Sequence, residues 1–264
     1  LVNNLYDFDP PTDAVPETAL HDLDRWTLAQ LHRVVAACRA GYDAYEFHRV
    51  YHAIHNFCAV ELSAFYLDVI KDRLYCEAAK SWRRCSAQTV LYTLAHVMSR
   101  LLAPILSHTA EEVWSHLRLP DKPQSVQLAD FPQARTEAWA EVLERWEPVL
   151  KVRDRVSLAV EAARQEKRIV NPLEARVEIE ANRAIYEALA PLAEDLHLIF
   201  KISQVGLKER EDSAEDISLR VMPAPGAKCA RCWLVKTDVG ANPDYSDLCR
   251  RCAEVVMHFA ETTA

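Results

Sequence analysis

Cys229-Ala230-Arg231-Cys232 and, sixteen residues further on, Cys249-Arg250-Arg251-Cys252 close the chain in a C-x2-C-x16-C-x2-C pattern. A C-x-x-C places both sulfurs at the mouth of one tight turn. The intervening loop is long enough to fold the second pair back onto the first. Two such knuckles can wrap one tetrahedral Zn2+ as four thiolates. A site closed by four thiolates leaves no corner for water or substrate, so the expected cofactor is one structural Zn2+, held by Cys229, Cys232, Cys249 and Cys252, that does no catalysis. The competing reading is two redox pairs or two disulfides. A thioredoxin-like dithiol would sit in a βαβ setting, and residues 229–252 show none.

Outward from the tail, the bulk of the sequence reads as mainly α. The chain has 264 residues, half of them hydrophobic, and only four glycines, Gly41, Gly206, Gly226 and Gly240. These are too scattered for a phosphate-cradling G-x-G-x-x-G or P-loop, and no nucleotide site is found. Low glycine with abundant Ala, Leu, Glu and Arg favours helix. A net charge of −8 argues against non-specific nucleic-acid binding but leaves room for a local basic face. Cys38, Cys58, Cys76 and Cys85 lie in apolar helical context and read as small buried hydrophobes of a reducing compartment. No signal peptide and no apolar run of membrane-spanning length are read, which suggests a cytoplasmic protein without a membrane partner. The start at Leu1 suggests a piece of something longer.

Residues 1–22 carry Pro10, Pro11 and Pro16 among aspartates and are expected to be an irregular lead-in. A helical bundle is expected over 23–120. Its first helix is marked by Leu28, Leu31, Val35 and Cys38 and ended by Gly41. Its second, about 43–75, has a broad apolar stripe and a break near Ser63. A third runs over about 81–103 to Pro104. Thr109-x-x-Glu112 then reads as a capping box. Residues 121–136, with Pro123 and Pro132 and with Pro120 just before, read as a linker strapped over the surface. A helical extension follows (137–171, ended by Pro172), then a small α+β unit (172–224) and the zinc module (225–264). In the α+β unit Ala175-Arg176-Val177-Glu178-Ile179-Glu180 alternates as a strand. A helix over about 183–194 and strands over 197–207 and 216–222 complete it. Glu209, Glu211, Asp212, Glu215 and Asp216 make the acidic turn between those strands.

Several stretches resemble one family. Asp24-Arg25-Trp26, Tyr45-Glu46-Phe47-His48, His55-Asn56-Phe57-Cys58, Ser63 through Tyr75 and the Ala103-Pro104…His108-Thr109-Ala110-Glu111-Glu112-Val113-Trp114 element occur in an order similar to the helical anticodon-binding domain of class I aminoacyl-tRNA synthetases for branched aliphatic amino acids. The Cys229-Ala230-Arg231-Cys232-Trp233 and Leu248-Cys249-Arg250-Arg251-Cys252 tail resembles the C-terminal zinc module of the bacterial isoleucyl enzymes, and Asn171-Pro172-Leu173-Glu174-Ala175 fits their linker. The resemblance covers nearly the whole chain. It implies an antiparallel bundle of the synthetase anticodon-binding type, tRNA(Ile) as partner together with the rest of the synthetase chain, and a monomer. The family's H-x-G-H and K-M-S-K-S signatures are absent from these residues, so ATP use and acylation belong to parts not on this chain, and no catalytic residue is expected here.

Gripping tRNA needs cations for phosphates and flat side chains for unstacked bases. Lys80, Trp82, Arg83 and Arg84 interleave both on the bundle, and an Arg83, Arg84 double alanine is expected to weaken tRNA binding. Lys71 and Arg73 can instead pair with Asp68, Asp72 and Glu77 on a solvated helix. Lys151, Arg153, Arg155, Arg164, Lys167 and Arg168 read as a solvated face. In the tail, Lys228, Arg231 and Arg250 can offset the negative thiolate cluster or meet phosphate. Trp233 either covers the metal core, the favoured role, or stacks on a base. His48, His52 and His55 read as ordinary surface or core histidines. Two other functions compete: a free-standing tRNA-binding module, and a DNA glycosylase with a similar four-cysteine finger, which the Leu1-Val2 start and long bundle disfavour.

Overall fold

The computed structural model describes residues 2–118, 122–210 and 216–263, with side chains through residue 259. Pro120 and the acidic-turn residues Glu211, Asp212 and Glu215 lie outside the described residues. The chain divides into two units, Leu1–Leu143 and Glu144–Ala264. The division falls within the segment read as a helical extension.

The first unit is a helical bundle. Its lead-in is not irregular throughout: Val2–Leu5 and Glu17–Ala19 form 3-10 turns and Pro10–Asp13 a single helical turn, α1. Pro10 and Pro11 sit in the first turn of α1, where a missing N–H costs nothing. Helix α2 (Asp22–Asp43) buries Leu28, Leu31, Val35 and Cys38 as their spacing predicts. Gly41 does not end α2 but lies within it. A Cβ there would meet Val50 Cγ2 at 2.8 Å, so the glycine admits the close approach of α3 (Phe47–Asn56). Helix α3 runs without a break into a ten-residue π-helical stretch, Phe57–Tyr66, followed by α4 (Leu67–Val69) and α5 (Lys71–Cys76). Phe57 and Leu62, one wide turn apart, are both buried there. Contrary to the reading of the sequence, this run, Phe47–Cys76, is long and apolar enough by length and composition to cross a membrane. In the structure Phe65, Tyr66 and Ile70 are bundle core, and the run carries a buried arginine, Arg73.

Helix α6 (Trp82–Leu102) begins at Ser81, whose Oγ accepts from Arg84 N. It supplies much of the core through Val90, Leu91, Leu94 and Leu101. Helix α7 spans Ser107–His116, so Thr109 lies inside it and the expected capping box does not form. Glu111 instead accepts from Ser125 Oγ (2.8 Å) and Val126 N (3.0 Å). Trp114 Nε1 donates to Pro123 O at 3.0 Å. The proline-rich linker is thus strapped onto the bundle by α7. Of the scattered cysteines, Cys38, Cys76 and Cys85 are buried, but Cys58 is exposed.

Helix α8 (Thr136–Gln165) buries Trp146, Val149, Val152, Val156 and Val160 at three- and four-residue steps. It ends before Pro172. Lys167 takes a left-handed φ of +59°, and Arg168 N returns to Ala163 O at 2.9 Å. Strand β1 (Ala175–Ala181) buries Ala175, Val177, Ile179 and Ala181 on one face. Helices α9 (Arg183–Leu189) and α10 (Leu196–Ile199) cross over to β2 (Gln204–Glu209), parallel to β1. Strand β3 (Ile217–Pro223) pairs antiparallel on the other edge, giving the order β2-β1-β3. The strand expected over 197–207 starts late. Leu196, Leu198 and Ile199 belong to the crossover helix, a short apolar run whose period does not separate helix from strand.

The tail consists of a small hairpin, β4 (Ala227–Lys228) with β5 (Val235–Lys236), a 3-10 turn at Pro243–Tyr245 and helix α11 (Arg250–Thr263). Gly226, at φ +112°, lies so close to the hairpin partner that a Cβ would fall 2.2 Å from Lys236 O.

Candidate metal centre and nucleic-acid interface

The first knuckle is closed by backbone. Cys229 N donates to Leu234 O and Trp233 N to Cys229 O, both at 3.0 Å. The second is built on a helix start: Cys249 immediately precedes α11 and Cys252 sits in its first turn. Ala230 N donates to Asp247 O (3.0 Å) and draws the two knuckles together. The four sulfurs then all lie within 4.8 Å of one another. Zn–S bonds of about 2.3 Å set the edges of a tetrahedral site at about 3.8 Å. Cys232 Sγ and Cys249 Sγ are 3.9 Å apart.

Two donors meet the sulfurs directly. Cys249 N donates to Cys229 Sγ at 3.3 Å, and Arg231 Nη1 stands 3.8 Å from Cys252 Sγ. The α11 N-terminus adds its positive dipole end. Cys229, Cys249 and Cys252 are buried with Leu248 and Ala253. None of the four is in a disulfide. A hydrogen bond with Cys252, then burial, hold the Cys232 thiol far above its ordinary range, and burial above all pushes Cys249 up to about 11. Sulfurs so placed give up their protons in exchange for a cation. The donor set, spacing and surrounding donors fit a closed Zn2+ site.

Trp233 does not cover this core. It is 61% exposed, at a left-handed φ of +65°, with Lys228 Nζ 5.8 Å from the ring centroid. A bulky residue is rarely held in that conformation, and here it presents an aromatic face to solvent. Arg250, at the start of α11, is exposed as well.

The bundle patch is arranged differently from a row of free cations. Lys80 Nζ pairs with Asp13 Oδ2 (2.6 Å) and also donates to Asp7 O. Arg84 is buried, with Nη1 and Nη2 on the two Asp7 carboxylate oxygens (2.8 and 3.1 Å) and Nε on Leu74 O. Arg83 Nε lies 3.6 Å from Glu77 Oε1. Trp82 is half exposed and donates its indole N–H to Ala19 O at 2.9 Å. Burial raises Asp7 and Asp13, but the hydrogen bonds from Arg84 and Gln88 to the first, and from Lys80 to the second, outweigh it and leave both carboxyls below their ordinary range. The lead-in is therefore clamped to the start of α6 by the patch itself.

Beneath this clamp lies a second, wholly buried one. Arg73 does not reach the solvated face. Its guanidinium grips both Asp24 oxygens and donates to Arg83 O at 2.8 Å, while Tyr66 OH (2.7 Å) and Ser86 Oγ also donate to Asp24. His21 N donates to Ser86 Oγ at 2.9 Å and ties in the lead-in. Tyr66 OH is held well above its ordinary range by burial and by the Asp24 charge. Arg73 and Asp24 are 49 residues apart, and such a pairing carries no local signal in the sequence. Lys71 does pair locally, with Asp68 at 2.7 Å, as the solvated-face reading had it.

The anticodon-binding domain of tRNA ligases matches residues 24–179, more than half of the chain and the whole of the bundle after its lead-in. The chain belongs to that family. A second match, to the zinc finger found in FPG and IleRS, covers residues 226–255 and therefore all four cysteines. Isoleucine–tRNA ligases of Moorella thermoacetica, Carboxydothermus hydrogenoformans and Desulfitobacterium hafniense are 48%, 44% and 43% identical to it over 97–98% of its length. The chain spans less than a third of these relatives, 28–29% of their length. What it shares with them over residues 24–179 is the anticodon-binding domain of a tRNA ligase.

Proposed function

We propose that this chain holds the anticodon stem-loop of tRNA(Ile) as part of an isoleucine–tRNA ligase, and that Cys229, Cys232, Cys249 and Cys252 bind one structural Zn2+. The observation that carries the reading is the joint presence of the anticodon-binding bundle over 24–179 and of four sulfurs within 4.8 Å inside the matched finger. The zinc closes the tail and presents Trp233, Lys228, Arg231 and Arg250 to RNA. Trp233 supplies a stacking face and the cations meet phosphate. On the bundle, Lys80, Trp82 and Arg83 form the outer part of the proposed contact, and buried Arg84 holds Asp7, whose carbonyl accepts from Lys80. ATP-dependent acylation is assigned to other parts of the ligase, since its adenylation signatures do not occur in this sequence. The assembled ligase acts as a cytoplasmic monomer.

The test is direct binding of the purified chain to transcripts of tRNA(Ile) and of a tRNA with another anticodon. Tighter, salt-sensitive binding to tRNA(Ile), competed by its isolated anticodon stem-loop, is expected. Equal affinity for both, or none, would remove the reading.

A further inference from the structure

The bundle holds a cationic cleft that the sequence did not single out. It has a volume of about 680 Å³ and lies between α2, α6 and the strap over residues 130–135. Arg39, Arg100 and Arg135 line it together with His32, His96 and Phe131. Arg39 donates from Nη1 to Pro132 O (3.2 Å) and lies 5.8 Å from the Phe131 centroid. Arg100 donates to Asp130 O (3.1 Å) and to His96 O (3.3 Å). Arg135 pairs with Glu17 Oε2 at 2.6 Å. For Arg39 and Arg100 the hydrogen-bond partners are backbone carbonyls, which leave most guanidinium N–H donors uncommitted, and only the Asp130 carboxylate acts on the Arg100 charge. The carboxylates at hand are Glu17, on Arg135, and the exposed Asp130.

The histidines add no charge to compete for. Burial, then Arg135, hold His32 below its ordinary range against the pull of Glu17, and burial, then Arg100, push His96 down to about 4. Both rings are braced by stacking, His32 on Trp139 and His96 on Trp114. His32 Nδ1 accepts from Arg135 N at 3.3 Å, so its ring carries the proton on Nε2 as a neutral donor. A roomy cleft thus presents guanidinium forks and the neutral His32 donor, with Leu31, Val35 and Val97 among its apolar lining.

We infer that this cleft is a phosphate site whose source is the backbone of bound RNA, with Arg39 and Arg100 as its principal contacts. The planar guanidinium fork matches phosphate geometry. The inference rests on the tRNA-holding reading for its source. It also answers a need that reading leaves open, because Lys80 and Arg84 are engaged with Asp13 and Asp7.

The experiment uses the whole chain and a tRNA(Ile) transcript. An Arg39→Gln, Arg100→Gln double variant is titrated between about 50 and about 200 mM salt. Loss of two phosphate contacts is expected to weaken binding about tenfold and to flatten the log K against log salt slope by about 1.5. An Arg39→Lys, Arg100→Lys variant keeps the charge and should retain the slope. If it falls as far as the Gln pair, the arginines act only by holding the strap and the inference is overturned, as it is by an unchanged slope in the Gln pair. A second arm omits RNA and follows the His32 and His96 ring resonances during titration with inorganic tripolyphosphate. Shifts in the wild type that vanish in the Gln pair support a phosphate site, even for a chain that does not bind tRNA; in that case the source is free polyphosphate and the tRNA reading alone fails. Silent rings overturn the site.

Discussion

The bundle and the tail solve the same problem, the burial of polar atoms, by opposite means. In the bundle a charged pair is taken fully out of water and satisfied by protein: Asp24 is met by Arg73, Tyr66 and Ser86, and Arg73 by the Arg83 carbonyl. Neither side chain of the pair reaches solvent. The tail has only a small apolar cluster around its cysteines and gathers four sulfurs at one point, three of them on buried residues. As thiolates they carry more charge than the neighbouring Arg231 can offset, so they call for a metal ion. The bundle is therefore self-sufficient and the tail conditional, which makes the tail the place where the fold can be lost without losing the rest.

That contrast can be broken at several points. The largest effect is expected from Cys249→Ser. Structural zinc contributes apparent free energies of about 10 kcal/mol or more to modules of this kind. The variant should copurify without zinc and lose the folded tail while helical circular dichroism from the bundle persists. Loss of the bundle as well would erase the distinction. Arg73→Met comes next. Leaving Asp24 buried and unpaired should cost about 3–5 kcal/mol in urea unfolding of the bundle, with zinc content unchanged. A third change sharpens the comparison on the RNA side. Trp233 is exposed, so Trp233→Ala should leave stability and zinc content alone but weaken tRNA(Ile) binding by about 1–3 kcal/mol if the ring stacks on a base. Unaltered affinity would return Trp233 to an idle surface role.

The smallest effect is on pH. His96 has its folded pKa lowered from 6.5 to about 4, so the unfolded chain takes up the proton first as pH falls. The stability this lends the bundle is complete above pH 6.5 and should drain away between about 6.5 and 4. Arg100 faces the ring and Tyr92 and Trp114 stack beside it. His96→Gln should flatten that window. The lowered carboxyls Asp7 and Asp13 act only further down, their contribution being lost as pH falls below 3.8 through their folded values. An unchanged profile in the His96 variant would mean the ring is solvated.

The two regions also differed in how openly the sequence announced them. The cysteine cluster was legible because metal ligation fixes both residue type and spacing, and the assembled sulfurs follow the pattern directly. The alternation over 175–180 and the spacing of Leu28, Leu31, Val35 and Cys38 were legible for a similar reason: each element's period is local. What stayed hidden depends on chain segments far apart. Arg84 and Asp7 are 77 residues from each other, and nothing near either announces the pairing that turns a basic patch into a clamp. The cleft of Arg39, Arg100 and Arg135 is assembled from three segments and was invisible for the same cause. The π-helical stretch was masked by an apolar stripe too broad to show its wider period. Thr109 and Glu112 matched a capping box, but the turn after Leu102 starts α7 three residues earlier, at Ser107 with Leu106 as its cap.

Hydrogen exchange on the wild-type chain before and after removal of metal by a chelator, under reducing conditions, tests the central contrast most directly. One zinc per chain is expected beforehand. Afterwards, protection should be lost at Cys229, Trp233, Cys249 and Ala253, while the α6 amides around Leu91 and Leu94 remain protected. Full protection in the tail without zinc, or loss of protection in α6 along with the tail, would contradict it.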